Sequence, residues 1–238
     1  MAQTIPLLSS DSLAFPPVTT ALADPNGLLA FGGKLSIEHL TTAYKEGIFP
    51  WYSDGEPIMW WSPDPRAIID CNNIRINKTL KKKIKQNNFI VTINKAFNSV
   101  IELCADAPFR KDGTWIVDQM KYAYKNLHQQ GFAHSIEVWS DKEIVGGLYG
   151  VAINGYFSGE SMFYKQSNAS KVALVYLADL LKSANIDLID CQMQNPFLAS
   201  MGSYEISRAK FIQLKNIALS ISLSQDFWAT RQLHLRDE

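Results

Sequence analysis

Residues 135–163 read SIEVWSDKEIVGGLYGVAINGYFSGESMF and predict three consecutive β-strands. The strands are expected at 135–140, 143–153 and 156–163, because each run is rich in β-branched and aromatic residues. Asp141-Lys142 separates the first two strands, and Asn154-Gly155 separates the second from the third. Because Asn-Gly is a typical two-residue hairpin turn, the stretch predicts an antiparallel meander.

Helical patterns surround this meander on both sides. The first helix is expected at 36–46, where Ser36 can cap the N-terminus and Gly47 can end the helix. Further helices are expected at 77–87, 94–105, 114–131, 169–184 and 207–221, and short strands at 89–93 and 186–192. Helices around a mostly antiparallel mixed sheet predict an α+β fold, and the order of elements resembles the GNAT-like acyltransferase fold.

A change in local composition predicts two domains. The first sixty or so residues are rich in turns and aromatic residues, and the segment ends at Pro63-Asp64-Pro65. Because prolines interrupt regular structure, we place a boundary there. Residues 1–62 are expected to form a small N-terminal domain, and residues 63–238 the GNAT-like catalytic domain.

The overall composition excludes several classes of protein. The 238 residues contain 23 Lys and Arg, 23 Asp and Glu, and 47% hydrophobic residues. This balance argues against a globally basic nucleic-acid coat and against a disordered acidic chain. The three cysteines show no spacing that favours a disulfide framework or a structural zinc site. No signal peptide or membrane span is predicted, so a cytoplasmic protein is expected.

The neutral total conceals one strongly basic segment. Residues 71–101 contain no Asp or Glu and carry a local charge of +7. Within the helix at 77–87, four lysines share one face at helical spacing: Lys78, Lys81, Lys82 and Lys85. One interpretation is contact with a phosphate backbone, and the other is an ordinary solvated lysine face.

Polar residues at two strands are candidates for chemistry. Asp190 and Gln192 stand at the C-terminal end of a short strand, and their spacing of two predicts that both point to the same face. Cys191 would then point the other way, into the core. Glu160 lies within an apolar strand, where a carboxyl group needs partners or becomes protonated. A structural role for each carboxyl remains an alternative, and His134 before a strand is either a base or structural.

Tryptophan and glycine residues suggest further sites. The aromatic set Trp51, Tyr52, Trp60, Trp61 and Trp115 could stack on a nucleobase, or it could join the N-terminal segment to the larger domain. The glycine-rich run 146–150 opens no helix, which argues against a phosphate cradle and favours a bulge or the close approach of a ligand. The sequence around Ser161 lacks the final glycine of a nucleophile elbow, so a serine hydrolase is not expected.

Several strings in combination resemble one enzyme family. They are PNGLLAFGGKLS (25–36), AYKEGIFPWYS (43–53), WWSPDPRAI (60–68), GTWI (113–116), AHSIEVW (133–139), VGGLYGV (145–151), FSGESMF (157–163), NASK (168–171) and LIDCQ (188–192). In this order they closely resemble the bacterial leucyl/phenylalanyl-tRNA–protein transferases. The resemblance covers about residues 13–210.

This resemblance implies an activity. Members of the family move Leu or Phe, and less often Met, from aminoacyl-tRNA to the N-terminal Lys or Arg of acceptor proteins, which marks those proteins for N-degron degradation. The family uses no metal and no cofactor. A monomer without membrane association is expected.

The resemblance also implies roles for individual residues. Asp190, Gln192 and Glu160 match the catalytic positions. The substrate-binding positions are matched by Trp51, Trp115, Leu148, Phe157, Leu177, Ile189 and Asn195. The tRNA-binding positions are matched by Arg75, Lys78, Lys81, Lys82 and Lys85. The competing hypotheses are a CoA-dependent N-acetyltransferase and a noncatalytic RNA-binding module.

Overall fold

The structure is a computed structural model that describes residues 4–86, 89–107 and 114–236. Asn87, the last residue of the helix expected at 77–87, and Gly113 of the GTWI string lie outside the described residues. Within the described ranges, no helix is long and apolar enough to cross a membrane.

Two β-sheets organise the chain. A four-stranded sheet has the order β1-β2-β4-β3 and contains β1 (Leu7–Leu8), β2 (Leu28–Gly32), β3 (Phe49–Pro50) and β4 (Met59–Trp61). An eight-stranded sheet contains β5 (Arg66–Asp70), β6 (Ile90–Ile93), β7 (Ala133–Ser140), β8 (Glu143–Ile153), β9 (Tyr156–Tyr164), β10 (Leu188–Gln192), β11 (Tyr204–Ile206) and β12 (Arg231–Leu233). Its order is β11-β5-β10-β9-β8-β7-β6-β12.

The large sheet is mixed but mostly antiparallel. β10 pairs with β9 in parallel, while the other paired strands of this sheet run antiparallel. Seven α-helices accompany the sheets in the described part of the chain: α1 (Ile37–Glu46), α2 (Lys78–Lys85), α3 (Phe97–Ala105), α4 (Asp118–Gln129), α5 (Ala169–Lys182), α6 (Pro196–Ser200) and α7 (Arg208–Leu219). The predicted α+β fold, with a mostly antiparallel mixed sheet flanked by helices, is confirmed.

Local capping positions two of the helices as expected. Ser36 Oγ accepts a hydrogen bond from His39 N, and Gly47 ends α1 in the left-handed conformation. Asn77 Oδ1 accepts a hydrogen bond from Leu80 N at the start of α2. The helix expected at 94–105 begins later, at Phe97, because Asn94 has a positive φ of 55°.

The two faces of the large sheet bury separate cores. On one face, α1, α3, α4 and α7 pack around Tyr44, Tyr124, Tyr156 and Phe211. On the other face, α5 and α2 pack against an apolar set that includes Leu148, Phe157, Leu177 and Ile189. Side chains of β9 and β10 therefore reach both cores.

The glycines of β8 serve packing inside the protein. A Cβ atom on Gly146 would stand 2.4 Å from the Cβ atom of Ala169, the first residue of α5. At Gly150 the pairing with β9 shifts register, which is a β-bulge. Of the two expected roles, the bulge is observed, and the close approach at Gly146 is to helix α5 rather than to an open ligand surface.

Candidate functional site

A cavity of about 650 Å³ opens where β9 and β10 separate. The two strands pair only at Ile189–Phe157 and Asp190–Ser158, although β9 continues to Tyr164. Beyond that point the gap between the strands is lined by residues from both cores. The lining set includes Trp51, Trp115, Leu148, Phe157, Glu160, Leu174, Leu177, Ile189, Cys191, Gln192 and Asn195.

One wall of the cavity is apolar. The side chains of Leu148, Phe157, Leu177 and Ile189 come from three strands and from α5, and each residue is buried. Burying a Leu or Phe side chain against such a wall contributes roughly 1.5–3 kcal/mol, whereas a charged side chain would lose its hydration there. The cavity therefore favours a large apolar group.

The aromatic residues divide between the cavity and the core. Trp51 and Trp115 line the cavity, and Trp51 is partly exposed. Trp60 and Trp61 are buried in β4, where Trp61 Nε1 donates a hydrogen bond to Trp51 O at 2.7 Å. Tyr52 is also buried and does not line the cavity. Two tryptophans therefore face the cavity, while the other aromatic residues of the set pack within the N-terminal segment.

Glu160 is the polar centre of the cavity. Its Oε1 accepts hydrogen bonds from Tyr44 OH at 2.7 Å and from Gln192 Nε2 at 2.9 Å. Its Oε2 accepts a hydrogen bond from Tyr124 OH at 2.9 Å. Burial raises the pKa of Glu160 to about 7, against the lowering effect of the two phenol donors. This carboxyl group can therefore exchange a proton near neutral pH.

Asp190 lies behind the cavity wall. The Arg66 guanidinium binds its carboxylate at both oxygens, from Nε to Oδ1 at 2.8 Å and from Nη2 to Oδ2 at 2.7 Å. Tyr156 OH donates to Oδ2 at 2.5 Å. Arg66 also donates to Gly47 O, and its guanidinium lies between the rings of Phe49 and Phe211. Both residues of this ion pair are fully buried.

Gln192 connects Asp190 with the cavity. The main-chain N–H of Gln192 donates to Asp190 Oδ1 at 2.9 Å, and φ at Gln192 is 62°. The pairing of β10 with β5 shifts register between these two residues. The carboxamide of Gln192 consequently faces the cavity and Glu160, while the carboxylate of Asp190 faces Arg66. Both side chains lie on the side of the sheet that carries Tyr44 and Tyr156, as expected, but they bind different partners, and Asp190 contacts Gln192 through the main chain.

The structure shows the positions of Cys191 and His134, whose surroundings the sequence alone had left open. Cys191 packs against the core on the opposite face from Asp190, as expected, but it is only partly buried and also lines the cavity. Burial raises the pKa of its thiol, which therefore stays protonated. His134 stacks on Trp228 at 4.2 Å between ring centroids, and burial lowers its pKa to about 3. A buried neutral histidine packed in this way is structural.

Asn195 lines the cavity at the start of α6. Its Oδ1 caps the helix by accepting a hydrogen bond from Leu198 N at 2.9 Å. The side-chain oxygen is therefore held by the protein.

The predicted basic surface lies on α2. Lys78, Lys81, Lys82 and Lys85 are exposed and surround a shallow concave region together with Gln86. Arg75 is exposed in the preceding loop, where its N–H donates to Met201 O. Leu80 fixes this helix on α5, which also supplies Leu177 to the cavity. One packed unit therefore carries both the lysine face and part of the apolar wall.

Sequence reasoning missed four residues that support the site. Arg66, Tyr44, Tyr124 and Tyr156 surround the two carboxyl groups, and each is buried. A buried carboxyl group requires donors, so Glu160 and Asp190 implied that partners exist. The identity of those partners depends on pairings between distant parts of the chain.

Comparisons with known proteins identify relatives along almost the whole chain. A family model described as leucyl/phenylalanyl-tRNA protein transferase matches residues 68–216, and the model for the N-terminal domain of that protein matches residues 33–64. A leucyl/phenylalanyl-tRNA–protein transferase from Colwellia psychrerythraea is 58% identical, covering 98% of this chain and 99% of the relative. One from Pseudoalteromonas atlantica is 50% identical, covering 93% and 95%.

Two solved structures show a distant likeness to this chain. A conserved protein of unknown function from Staphylococcus epidermidis has a TM-score of 0.41 and 11% identity, covering 76% of this chain and 68% of that chain. A GCN5-related N-acetyltransferase-like protein from Streptococcus suis has a TM-score of 0.34 and 10% identity, covering 68% and 60%.

Proposed function

The chain belongs to the leucyl/phenylalanyl-tRNA–protein transferase family, and we propose that the cavity between β9 and β10 is where it performs that reaction. It moves Leu or Phe from aminoacyl-tRNA to the N-terminal Lys or Arg of an acceptor protein, as expected for a role in N-degron degradation. The observation that carries the assignment is a cavity with an apolar wall and a buried carboxyl group at its polar end.

The chemistry requires orientation more than activation. An aminoacyl-tRNA is already an activated ester, and the attacking group is an α-amine whose unperturbed pKa is about 8. Correct placement of two reactants can contribute about 7–11 kcal/mol. Leu148, Phe157, Leu177 and Ile189 hold the apolar side chain of the aminoacyl group, and Met is a less favoured third substrate.

Polar groups position the reacting ends. Gln192 directs its carboxamide toward the amine, while Asp190 acts through the main chain of Gln192 and is a positioning residue. Trp51 and Trp115 receive the terminal adenosine by stacking, because aromatic faces bind bases in a sequence-tolerant way. Asn195 borders the same space and contacts the bound substrate.

We also propose a division of the chain at the predicted boundary. The four-stranded sheet lies within residues 1–62 and the eight-stranded sheet within residues 63–238, which supports two units. Helix α1 of the first unit shares a core with α4 of the second, so the units are packed together. The enzyme acts as a monomer in the cytoplasm, with no cofactor.

The lysine face of α2 is the proposed contact for the tRNA backbone, together with Arg75. Replacing Lys81, Lys82 and Lys85 with Ala should weaken tRNA binding and flatten its dependence on salt. Removing one phosphate-binding side chain should reduce the slope of log affinity against log salt by about 0.7–0.9. Filter binding between low and physiological salt measures this slope.

Three exposed lysines elsewhere provide a matched control. Changing Lys34, Lys142 and Lys210 to Ala removes the same total charge from other surfaces. That variant should retain the wild-type slope. Equal slopes in the α2 variant and the wild type would remove α2 from the tRNA contact.

A transfer assay tests the proposed function. Phe-tRNA and a peptide that begins with Arg are mixed with the protein, and mass spectrometry should detect a new Phe-Arg N-terminus. The same peptide with an acetylated N-terminus should remain unchanged, because it offers no amine. Lack of product, with an active relative as control, would refute the proposal.

A further inference from the structure

Three oxygen-bearing side chains form a closed triangle at the polar end of the cavity. Tyr44 OH and Tyr124 OH each lie within hydrogen-bond distance of Glu160, and the two phenol oxygens are 2.5 Å apart. The three hydrogen bonds of the triangle (Tyr44–Tyr124, Tyr44–Glu160 and Tyr124–Glu160) need one proton each. When Glu160 is ionised, only the two phenol protons are present. When Glu160 is protonated, its carboxyl proton supplies the third hydrogen bond. The triangle can therefore hold the proton that Glu160 accepts.

The cavity offers no other base of this kind among its described lining residues. Glu160 is the only Asp, Glu, His, Lys or Arg residue in that lining. Cys191 lines the cavity too, but burial raises the pKa of its thiol and keeps the proton on sulfur. A proton that leaves a reactant in the cavity therefore has one protein carboxylate within the lining to receive it.

We propose that Glu160, with Tyr44 and Tyr124 as its hydrogen-bond partners, is the general base that takes the proton of the attacking α-amine. This inference rests on the proposed transferase function and adds a route for the proton. Glu160 touches the reacting group, while Tyr44 and Tyr124 are fully buried positioning residues.

Each step of the proposed route balances. The neutral amine attacks the ester carbonyl carbon, a carbon–nitrogen bond forms as the carbonyl π electrons move onto the carbonyl oxygen, and the nitrogen becomes positively charged while that oxygen becomes negatively charged. Glu160 takes one proton from that nitrogen. The negatively charged oxygen then re-forms the carbonyl double bond as the bond between the carbon and the 3′-oxygen of the tRNA breaks, and the proton passes from Glu160 to that 3′-oxygen. The products are an amide and a free hydroxyl group, and Glu160 returns to its ionised form.

The charges around Glu160 place its titration in the working range. Burial raises its pKa to about 7. The phenols of Tyr44 on α1 and Tyr124 on α4 lower the pKa, Asp190 on β10 raises it, and Arg66 on β5 lowers it. Burial raises the pKa of both phenols well above the ordinary value, so each keeps its proton while Glu160 titrates.

The test is the pH dependence of single-turnover transfer at saturating acceptor peptide. In the wild type, transfer needs an ionised Glu160 and a neutral amine. The logarithm of the rate should therefore rise with a slope of two below both pKa values. Glu160→Gln should lower the rate about 10²-fold or more and reduce this slope to one, because only the amine still titrates. A Glu160→Gln profile with the wild-type rate and slope would overturn the proposal.

The tyrosine variants give a second, milder test. Tyr44→Phe and Tyr124→Phe each remove a hydrogen bond that lowers the pKa of Glu160. The acidic limb of the pH–rate profile, where the transfer rate rises with pH, should therefore move to higher pH in each variant. Tyr52→Phe is the matched control, because Tyr52 OH donates to Gln119 at 3.2 Å and does not line the cavity. Its profile should equal that of the wild type.

Two measurements distinguish a failure of the proton route from a failure of folding or of the proposed transferase function. Urea unfolding shows whether each variant is folded. If Glu160→Gln does not fold, the Tyr44→Phe and Tyr124→Phe variants test the proton route. Unmoved acidic limbs in folded Tyr44→Phe and Tyr124→Phe would overturn the proposal. A wild type that transfers nothing would instead refute the transferase function and, with it, this inference. Wild-type transfer with unaltered variant profiles would refute the proton route alone.

Discussion

Arg66→Met should destabilise the protein by about 3–5 kcal/mol and abolish most of its transfer activity. The substitution leaves the Asp190 carboxylate fully buried without its cationic partner, which is the costly way to break a buried ion pair. It also removes the hydrogen bond to Gly47 O and the cation–aromatic contacts with Phe49 and Phe211. Urea unfolding measures the free energy, and single-turnover transfer measures the activity.

A second arginine–aspartate pair provides the control. Arg236 binds Asp179 at 3.1 Å on the surface, with half of the arginine side chain exposed. Because exposed pairs contribute about 0–1 kcal/mol, Arg236→Met should have little effect. Equal unfolding free energies for Arg66→Met and the wild type would contradict the role assigned to the buried pair.

A double variant separates folding from activity. Replacing both Arg66 and Asp190 with apolar residues of similar size, as Arg66→Met with Asp190→Leu, should recover part of the lost stability. Transfer should stay low, because Gln192 loses the carboxylate that accepts its main-chain N–H. Recovery of both stability and transfer would show that the ion pair serves folding alone.

Leu177→Ala should change the choice between amino acids. The substitution enlarges the space beside the apolar wall, so a bound Leu side chain packs less tightly there, whereas the larger Phe ring fills part of the added space. The ratio of kcat/KM for Phe-tRNA to that for Leu-tRNA should therefore rise about tenfold, the effect expected for one or two methylene groups. Competition between the two charged tRNAs in one reaction measures the ratio. The protein should also lose about 2–5 kcal/mol of stability.

Leu127→Ala is the matched control for this change. Leu127 is fully buried in the core on the other face of the sheet and does not line the cavity. It should cost a similar amount of stability, about 2–5 kcal/mol, and leave the Phe-to-Leu ratio unchanged. A shift of the ratio in both variants would trace it to general destabilisation, against the wall assignment for Leu177.

Local sequence patterns predicted the strands and helices whose ends are set by nearby turn and capping residues. The meander follows from β-rich runs separated by Asn154-Gly155, and α1 and α2 follow from caps at Ser36 and Asn77. Strand β5 was missed because the prolines at 63 and 65 directly before it suggested a break. Four of its five residues are buried, and the strand pairs with β10 and β11, which short-range patterns do not encode.

The support of the site depends on long-range contacts. Arg66 and Asp190 are 124 residues apart in sequence, and Tyr44 and Glu160 are 116 apart. The positive φ of Gln192 has no sequence signal, since glycine or asparagine would be the usual residue there. Composition and spacing could therefore select Asp190, Gln192 and Glu160 as candidates, but the fold was needed to find what holds them.

A structure of the protein with an amide-linked phenylalanyl-adenosine, which cannot be transferred, would locate the aminoacyl site directly. We expect the phenyl ring to lie against Leu148, Leu177 and Ile189, with the reacting carbonyl beside Gln192. The same compound should compete with Phe-tRNA in the transfer assay. Binding outside the cavity between β9 and β10, with the apolar wall left empty, would show that the aminoacyl group is held elsewhere and that this cavity is not the active site.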